Sequence, residues 1–488
     1  MPASAQDCLR RGRPWRYGLL VDVGSTFSKV CVVDPRGRFL EHAHAPTTID
    51  GNVVDGVRDA ASQLTPACRE SLDWALVCSS AAGGLRMASI GLTAALSGRA
   101  GTLAALGAGA KLVATRSGFL DDDDVAAINA AGPHLVLLSG GLDGGNAEAL
   151  LHNARRLAGL GSVAGIILAG NRDAATAAEA ALRGLGRDVR IVGNVFPRPG
   201  EVDLGPTRDA VRDLFMRHIT RAKGLQTLLA DLRSDCEPTP LAVSRALWDL
   251  PGTAEEPVVV VDVGGATTDV HSVGGRTYHP RAVDLPVPEV MRTVEGDLGM
   301  RFGATGVVAT MGTEQRRRVE LRLDRDLAAE AERRQEDPGF LPGSPADDAV
   351  DEVLAQSAIA VALERHAGRV VVRKQPWGDR YRVSGKDLRG CRRLVVTGGV
   401  FHHLSDAAAT VAAALSAVDG SLVPRTPAVT VDTHYGLYAI GLVARLDREL
   451  AAAMVRHLLP SADPSPPGPP PGKENRDDLG DEPHAAAP

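Results

Sequence analysis

Two short segments hold the residue types best suited to chemistry. LLVDVGSTFSKVCVVD (19–34) and VVVVDVGGATTDVHSV (258–273) share one order: apolar strand, aspartate, one apolar residue, glycine, small or hydroxyl residues, second strand. The copies lie about 240 residues apart. Gly24, Gly264 and Gly265 permit a tight hairpin and a close backbone approach to a phosphate. Ser25, Thr26, Thr267 and Thr268 offer hydroxyl and backbone donors to phosphate oxygens. Asp22 and Asp262, at strand ends, suit hydrated Mg2+, which takes few carboxylates together with phosphate. Two such hairpins facing each other would clamp a nucleoside triphosphate from both sides. Lys29, one of six lysines in the chain, is a weaker phosphate candidate because it lies past the first turn. One hairpin alone reads equally well as an ordinary glycine turn. Two copies in the same order are what favour phosphate.

These motifs need elements to carry them, and the chain alternates strand-like and helix-like runs, the pattern of an α/β protein. Strands are expected at Tyr17–Val23, Ser28–Val33 and Phe39–His44, a helix at Ile49–Leu64, and a strand at Trp74–Cys78, giving β-β-β-α-β. Strands Leu135–Leu138, Gly165–Ala169 and Val189–Val192, separated by helices, form a βαβαβ unit with a three-stranded parallel sheet. Arg208–Leu232 reads as a helix ended by Pro238 and Pro240. After the second hairpin come helices over Glu314–Glu336 and Asp351–His366, strands Leu394–Thr397 and Val429–Asp432, and a final helix over Tyr435–Leu450. The expected division is a flexible arm 1–15, a first lobe 16–95, an inserted α/β and helical region 96–250, a second lobe 251–459, and a disordered proline-rich tail 460–488.

Composition narrows the function classes. The 488 residues are 44% hydrophobic and 23% charged, which is globular, and only 3% aromatic, which leaves few stacking platforms for single-stranded nucleic acid. Net charge is −6, so no basic field favours DNA or RNA. No apolar run is long enough to span a membrane, and no signal-peptide core precedes the first strand, so a cytoplasmic location is expected. Six cysteines form no C-x-x-C pair, which argues against a disulfide framework or zinc site; Cys31 and Cys78 read as core residues.

Other groups have a chemical and a plain reading. In RTVEGDLGMR (292–301), Glu295 or Asp297 could orient a water for phosphoryl transfer, or simply favour a helix start. Asp143, Asn146, Asn171 and Asn194 would cluster at the strand ends of the βαβαβ unit, as a second ligand site or as turn chemistry; turn chemistry is favoured. The Asp121–Asp124 run reads as a solvated helix start. His402 and His403 follow a glycine pair, and His271 is expected to face outward. No D-x-H-x-x-G segment of the base-off cobalamin kind is present.

Together these segments resemble the actin-like ATPase superfamily, with its two-lobed, ribonuclease H-like fold. The resemblance implies that VVTGGVFHH (395–403), with Gly398 and Gly399, contacts the adenosine, and that 436–441 (GLYAIG) begins the small-residue connecting helix. A narrower resemblance, carried by LLVDVGSTFSKV, SGGLDGGNAEALLHNA, VVVVDVGGATTDVHSV, RTVEGDLGMR and VVTGGVF, is to the MutL-type (GlmL) accessory proteins of adenosylcobalamin-dependent glutamate mutase and ornithine aminomutase. It implies ATP and Mg2+ as cofactors, mutase subunits as partners, and ATP hydrolysis coupled to conformational change that releases damaged cobalamin. Three competing readings stay open: a small-molecule kinase, a hydantoinase- or oxoprolinase-type ATP-dependent enzyme, and a nucleotide-bound assembly module. Metabolite-dependent turnover marks the first two, and filaments without turnover the third.

Overall fold

Each predicted hairpin is the seed of a five-stranded sheet in the computed structural model. The structure describes residues 4–24, 26–48, 52–80, 85–108, 110–161, 163–183, 188–219, 224–247, 250, 256–277, 287–373, 380–419 and 421–459. Ser25, the start of the expected helix at 49, and the expected tail from 460 fall outside them.

In the first lobe, β1 (Tyr17–Val23), β2 (Phe27–Val33), β3 (Phe39–Pro46) and β4 (Leu72–Ser79) form the expected β-β-β-α-β run around the helix Val53–Ser62. The chain then leaves to build the inserted unit from β5 (Leu85–Gly91), β6 (Ala110–Ser117), β7 (Leu135–Leu138), β8 (Gly165–Leu168) and β9 (Asp188–Ile191). It returns as β10 (Cys236–Pro238), which completes the first sheet in the order β3-β2-β1-β4-β10.

The second lobe holds β11 (Val258–Val263), β12 (Thr268–Val273), the short β13 (Arg276–Thr277) and β14 (Val290–Glu295). A peripheral hairpin, β15 (Arg369–Arg373) and β16 (Arg380–Ser384), and β17 (Lys386–Asp387), paired with β13, follow. With β18 (Arg393–Thr397) and β19 (Ala428–Val431) the second sheet runs β14-β12-β11-β18-β19. In both sheets the hairpin strands are antiparallel, and the first strand pairs in parallel with the fourth element of the sheet. This duplicated order is the ribonuclease H-like topology, and the chain has the two-lobed actin-like ATPase fold. Valine-rich strands buried on both faces explain why both sheets sit inside: Leu20, Val21, Val260 and Val261 are each 0% exposed.

Two helices join the lobes. Thr239–Ala246 follows β10, and Gly436–Ala444 follows β19. They touch backbone to backbone, since a Cβ at Gly441 would lie 1.7 Å from the Ala242 carbonyl oxygen. Around them one apolar cluster mixes Leu20 and Leu76 from the first sheet with Val260 and Val395 from the second. Burying such side chains contributes about 1.5–3 kcal/mol each.

Several expectations are corrected. The inserted sheet has five parallel strands, not three, in the order β6-β5-β7-β8-β9. It begins at Leu85, before the expected boundary at 96, and residues 236–246 belong to the lobes, not to the expected 96–250 region. Alternating small residues in 85–91 and 110–117 hid two strands. The arm 1–15 contains a helix, Ala5–Leu9, capped by Ser4, with Ala5 and Cys8 buried. Glu314–Glu336 is two helices, Thr313–Leu323 and Leu327–Glu336, parted by Asp324 at φ 52° and capped anew by Asp326. The final helix is likewise divided, into Gly436–Ala444 and Arg448–Leu458, where Asp447 caps the second. His271 is fully buried, not outward, and hydrogen-bonds Ser244 at 2.9 Å. The expected single helix over 208–232 is described as Gly205–Ile219 and Leu225–Leu232.

Candidate functional site

Both hairpin turns close by the same bond. Gly24 N–H donates to the Phe27 carbonyl at 3.2 Å, and Gly264 N–H donates to the Thr267 carbonyl at 2.9 Å. A Cβ at Gly24 would sit 2.3 Å from the Phe27 oxygen, so only glycine closes that turn without displacement. The two tips meet: a Cβ at Gly265 would lie 2.8 Å from Thr26 Oγ1. The Thr26 and Thr268 hydroxyls are buried and, among the described residues, have no hydrogen-bond partner. Buried polar atoms are ordinarily paired, so two unspent hydroxyls at facing tips fit an acceptor such as a phosphate oxygen.

The charges converge as well. Antiparallel pairing returns Lys29 to a position directly opposite Asp22, and Lys29 Nζ lies 3.3 Å from Asp22 Oδ2. Asp22, 2% exposed, also accepts from the Thr239 hydroxyl at 2.6 Å and the Cys78 thiol at 3.6 Å. Burial works against the Lys29 charge, but Asp22 and Asp262, joined by Tyr435, outweigh it and hold its pKa above the ordinary lysine value. Asp262 differs. No hydrogen bond or ion pair engages its carboxylate within the described residues. Removal from bulk water raises its pKa to about 6; Lys29 opposes the rise, and Asp269, Asp22 and Asp432 add to it. A carboxylate crowded by three others is suited to a cation. Among the described residues, no group of three or more His, Cys, Asp or Glu side chains is arranged to hold a metal on its own.

The glycine pair after β18 stands beside this. Gly398, at φ 119°, packs so closely on β11 that a Cβ would lie 2.2 Å from the Val263 oxygen, while a Cβ at Gly399 meets only the Tyr435 hydroxyl, 3.8 Å away. Tyr435 is the organising ring. His402 stacks on it at 4.4 Å with 21° between planes, and Lys29 Nζ lies 4.6 Å from its centroid. Burial, then the neighbouring His44, His403, His42 and Lys29, lower His402 to a pKa of about 4, so it is neutral at pH 7. Buried Asp432 fixes the start of the connecting helix by accepting from Gly436 N–H at 2.7 Å and Leu437 N–H at 3.1 Å.

The remaining predicted groups divide. Glu295 ends β14, opposite Thr268 at the second hairpin. Its carboxylate pairs with Arg365 at 2.6 Å, as does Asp297 at 3.0 Å. Burial raises the Glu295 pKa, and Arg365 works against it. Asp143, Asn171 and Asn194 do cluster at the strand ends of the inserted sheet, but their polar atoms are spent locally. Asn194 donates to Asp143 at 2.9 Å and to the Gly141 carbonyl at 3.0 Å. Asn171 caps its helix at Asp173 N–H, and Asn146 accepts from Glu148 N–H. Turn chemistry accounts for them. Asp121 likewise forms a capping box with Asp124.

Thr239, Asp432, Tyr435 and Arg292 were not legible as site residues. Arg292, 5% exposed, bridges Asp269 of the second hairpin at 3.0 Å to the Leu106 carbonyl of the inserted unit at 3.0 Å. Of these, Asp432 alone carried a signal, a strand-end aspartate four residues before a glycine-started helix. Among the described residues, no helix is long and apolar enough to cross a membrane.

Solved structures with a similar fold include acetone carboxylase in its nucleotide-free form (13% identity, TM-score 0.39, 88% of this chain and 70% of that one). Diol dehydratase-reactivating factor, also nucleotide-free, is similar at 11% identity and TM-score 0.36, over 88% of this chain and 99% of that one. A relative, "Protein MutL" of Clostridium tetanomorphum, is 35% identical over 440 residues, covering 87% of this chain and 95% of that protein. The family described as MutL protein matches residues 18–459, and the chain, hairpins and inserted unit included, belongs to that family.

Proposed function

We propose that the protein is an ATP-binding and ATP-hydrolysing accessory protein that reactivates an adenosylcobalamin-dependent amino-acid mutase, glutamate mutase being the first candidate. The observation that carries the ATP reading is the meeting of the hairpins, with unspent Thr26 and Thr268 hydroxyls and an unpaired Asp262 beside Lys29. In this reading Gly24, Ser25, Thr26, Gly264, Gly265, Thr267 and Thr268 hold the phosphates, and Gly398 and Gly399 lie along the nucleoside with Tyr435 behind them. Asp262, with Asp22 behind Lys29, would hold Mg2+, which supplies charge neutralisation to the phosphates. Glu295, next to Thr268, is the candidate for orienting water once Arg365 releases it.

The closed tips give the mechanical part of the reading. With Gly265 against Thr26, phosphate reaches the hairpins only if the lobes part, about the helices that cross at Gly441 and Ala242. Nucleotide state then sets lobe opening, and a partner bound to both lobes feels it. The mutase assignment rests on membership of the family and on the resemblance described above.

The test is phosphate release from Mg-ATP by the purified protein, alone and with inactivated glutamate mutase, in wild type and Asp262→Ala. Mutase-stimulated release that restores mutase activity and is lost in Asp262→Ala is expected. Absence of both nucleotide binding and release removes the ATP reading. Release driven by a metabolite instead of the mutase replaces it with a kinase or amidohydrolase.

A further inference from the structure

A cavity lies where the inserted unit meets the lobes. It encloses about 170 Å3, and four arginines line it: Arg208, Arg212, Arg245 and Arg292, with Ser244 and a single carboxylate, Asp209. In a chain of net charge −6, that convergence calls for an account. Two of the arginines have strong partners. Arg245 forks onto Glu237 at 2.6 and 2.9 Å, and Arg292 bridges Asp269 and the Leu106 carbonyl. Arg212 lies 3.9 Å from Asp209, both of them well exposed.

Arg208 differs. Among the described residues, no hydrogen bond or ion pair engages its side chain, and its Nε is buried without an acceptor, as is the Nε of Arg292. The guanidinium packs over Gly107, where a Cβ would lie 2.6 Å from Nε. Burial alone lowers its pKa, with no neighbouring acid opposing. A guanidinium has five donors and cannot shed its charge; Arg208 is half-buried, and its Nε is the donor left inside without an acceptor, which is costly. Its place near the end of the helix Arg99–Gly107 suits a cation, but it donates to none of that helix's carbonyls.

We propose that this cavity binds a small anion, a phosphate or a dicarboxylate, held by Arg208 with Arg212 and the Ser244 hydroxyl. Both anions match the planar fork of arginine. The volume is below the ~300–1,000 Å3 of sites for drug-sized ligands, which suits a small anion better than a nucleotide. The site is placed to report on the second hairpin. Ser244 bonds His271 of β12, and Arg292 holds Asp269, which stands cross-strand from Asp262. An effect on ATP turnover would rest on the ATP reading, whereas anion binding does not.

The experiment is calorimetric titration of the full chain with sodium phosphate and, separately, L-glutamate, at ionic strength matched with chloride. Wild type is expected to bind one of them, which identifies the chemistry. Arg208→Met and Arg212→Gln should each weaken binding at least about tenfold. Without anion, Arg208→Met should melt no lower than wild type, because a half-buried side chain with an unsatisfied Nε is replaced by an apolar one; this separates lost binding from lost folding. No binding of either anion up to about 10 mM, or affinity unchanged in Arg208→Met, overturns the proposal. The second outcome would place the anion at the hairpins or elsewhere.

Discussion

The two hairpins close with the same bond and the same register, yet the residue opposite the aspartate differs. Opposite Asp22 stands Lys29; opposite Asp262 stands Asp269. Asp22 is therefore neutralised and further spent on Thr239 and Cys78. Asp262 faces a like charge, Arg292 draws on Asp269 from the other side, and nothing engages Asp262 itself. Equal motifs have become unequal groups. The first aspartate is spent on its neighbours, whereas the second is left unengaged among the described residues and is the one to which the proposed function gives the cation. The comparison with the inserted unit points the same way. There Asp143, Asn171 and Asn194 also gather at strand ends, but each is spent on its own loops, so clustering alone does not make a site.

The largest expected effect separates the aspartates. Asp262→Asn should cut Mg-ATP phosphate release at least about a hundredfold with no loss of stability at neutral pH, because a crowded, unengaged charge is removed, measured by urea denaturation. Asp22→Ala should do the reverse in stability, costing about 3–5 kcal/mol because Lys29 loses its closest partner. Equal stability losses in the two variants would break the comparison.

Next comes pH. The raised pKa of Asp262, about 6, means the folded state holds its proton more tightly than the unfolded chain does. Its contribution to stability is present at low pH and is lost as pH rises from the ordinary carboxylate value through about 6. Wild type should lose stability relative to Asp262→Asn across that window and not above it. Mg2+-dependent nucleotide affinity should run the opposite way, rising to a plateau above about pH 6 as the carboxylate ionises.

Lys29→Met sharpens this further. Lys29 lowers the Asp262 pKa, so its removal should move the midpoint of that pH profile upward, alongside a stability loss from unpaired Asp22. An unmoved midpoint would show that Lys29 serves the first aspartate only. The smallest effect is expected from Thr268→Val. Its hydroxyl has no partner to lose, so stability should change by less than about 1 kcal/mol, while ATP affinity, read by titration, should fall several-fold.

Much of this was legible in residue types. The D-x-G segments marked both hairpins, and glycine at 24 and 264 marked their turns, because a turn that tight has few chemical solutions. The pairing of Lys29 with Asp22 was not legible, because distance past the turn along the chain does not show that an antiparallel return brings it directly opposite. His271 was read as outward from alternation, but β12 lies between two strands with the helix Thr239–Ala246 over it, so that face is also interior. The strands at 85–91 and 110–117 carry too few large apolar residues to announce themselves, and they become strands by pairing with β7 and each other.

The chain by itself thus determined the α/β class, the duplicated phosphate-type hairpins and the lack of any C-x-x-C pairing, all of which follow from short-range rules of turn closure, periodicity and spacing. Only the tertiary structure decided that Gly265 meets Thr26, that Tyr435 and Asp432 join the cleft, and that Asp262 rather than Asp22 is left unpaired. Those outcomes depend on contacts across hundreds of residues, where burial and neighbouring charge act through space and leave no trace in local spacing.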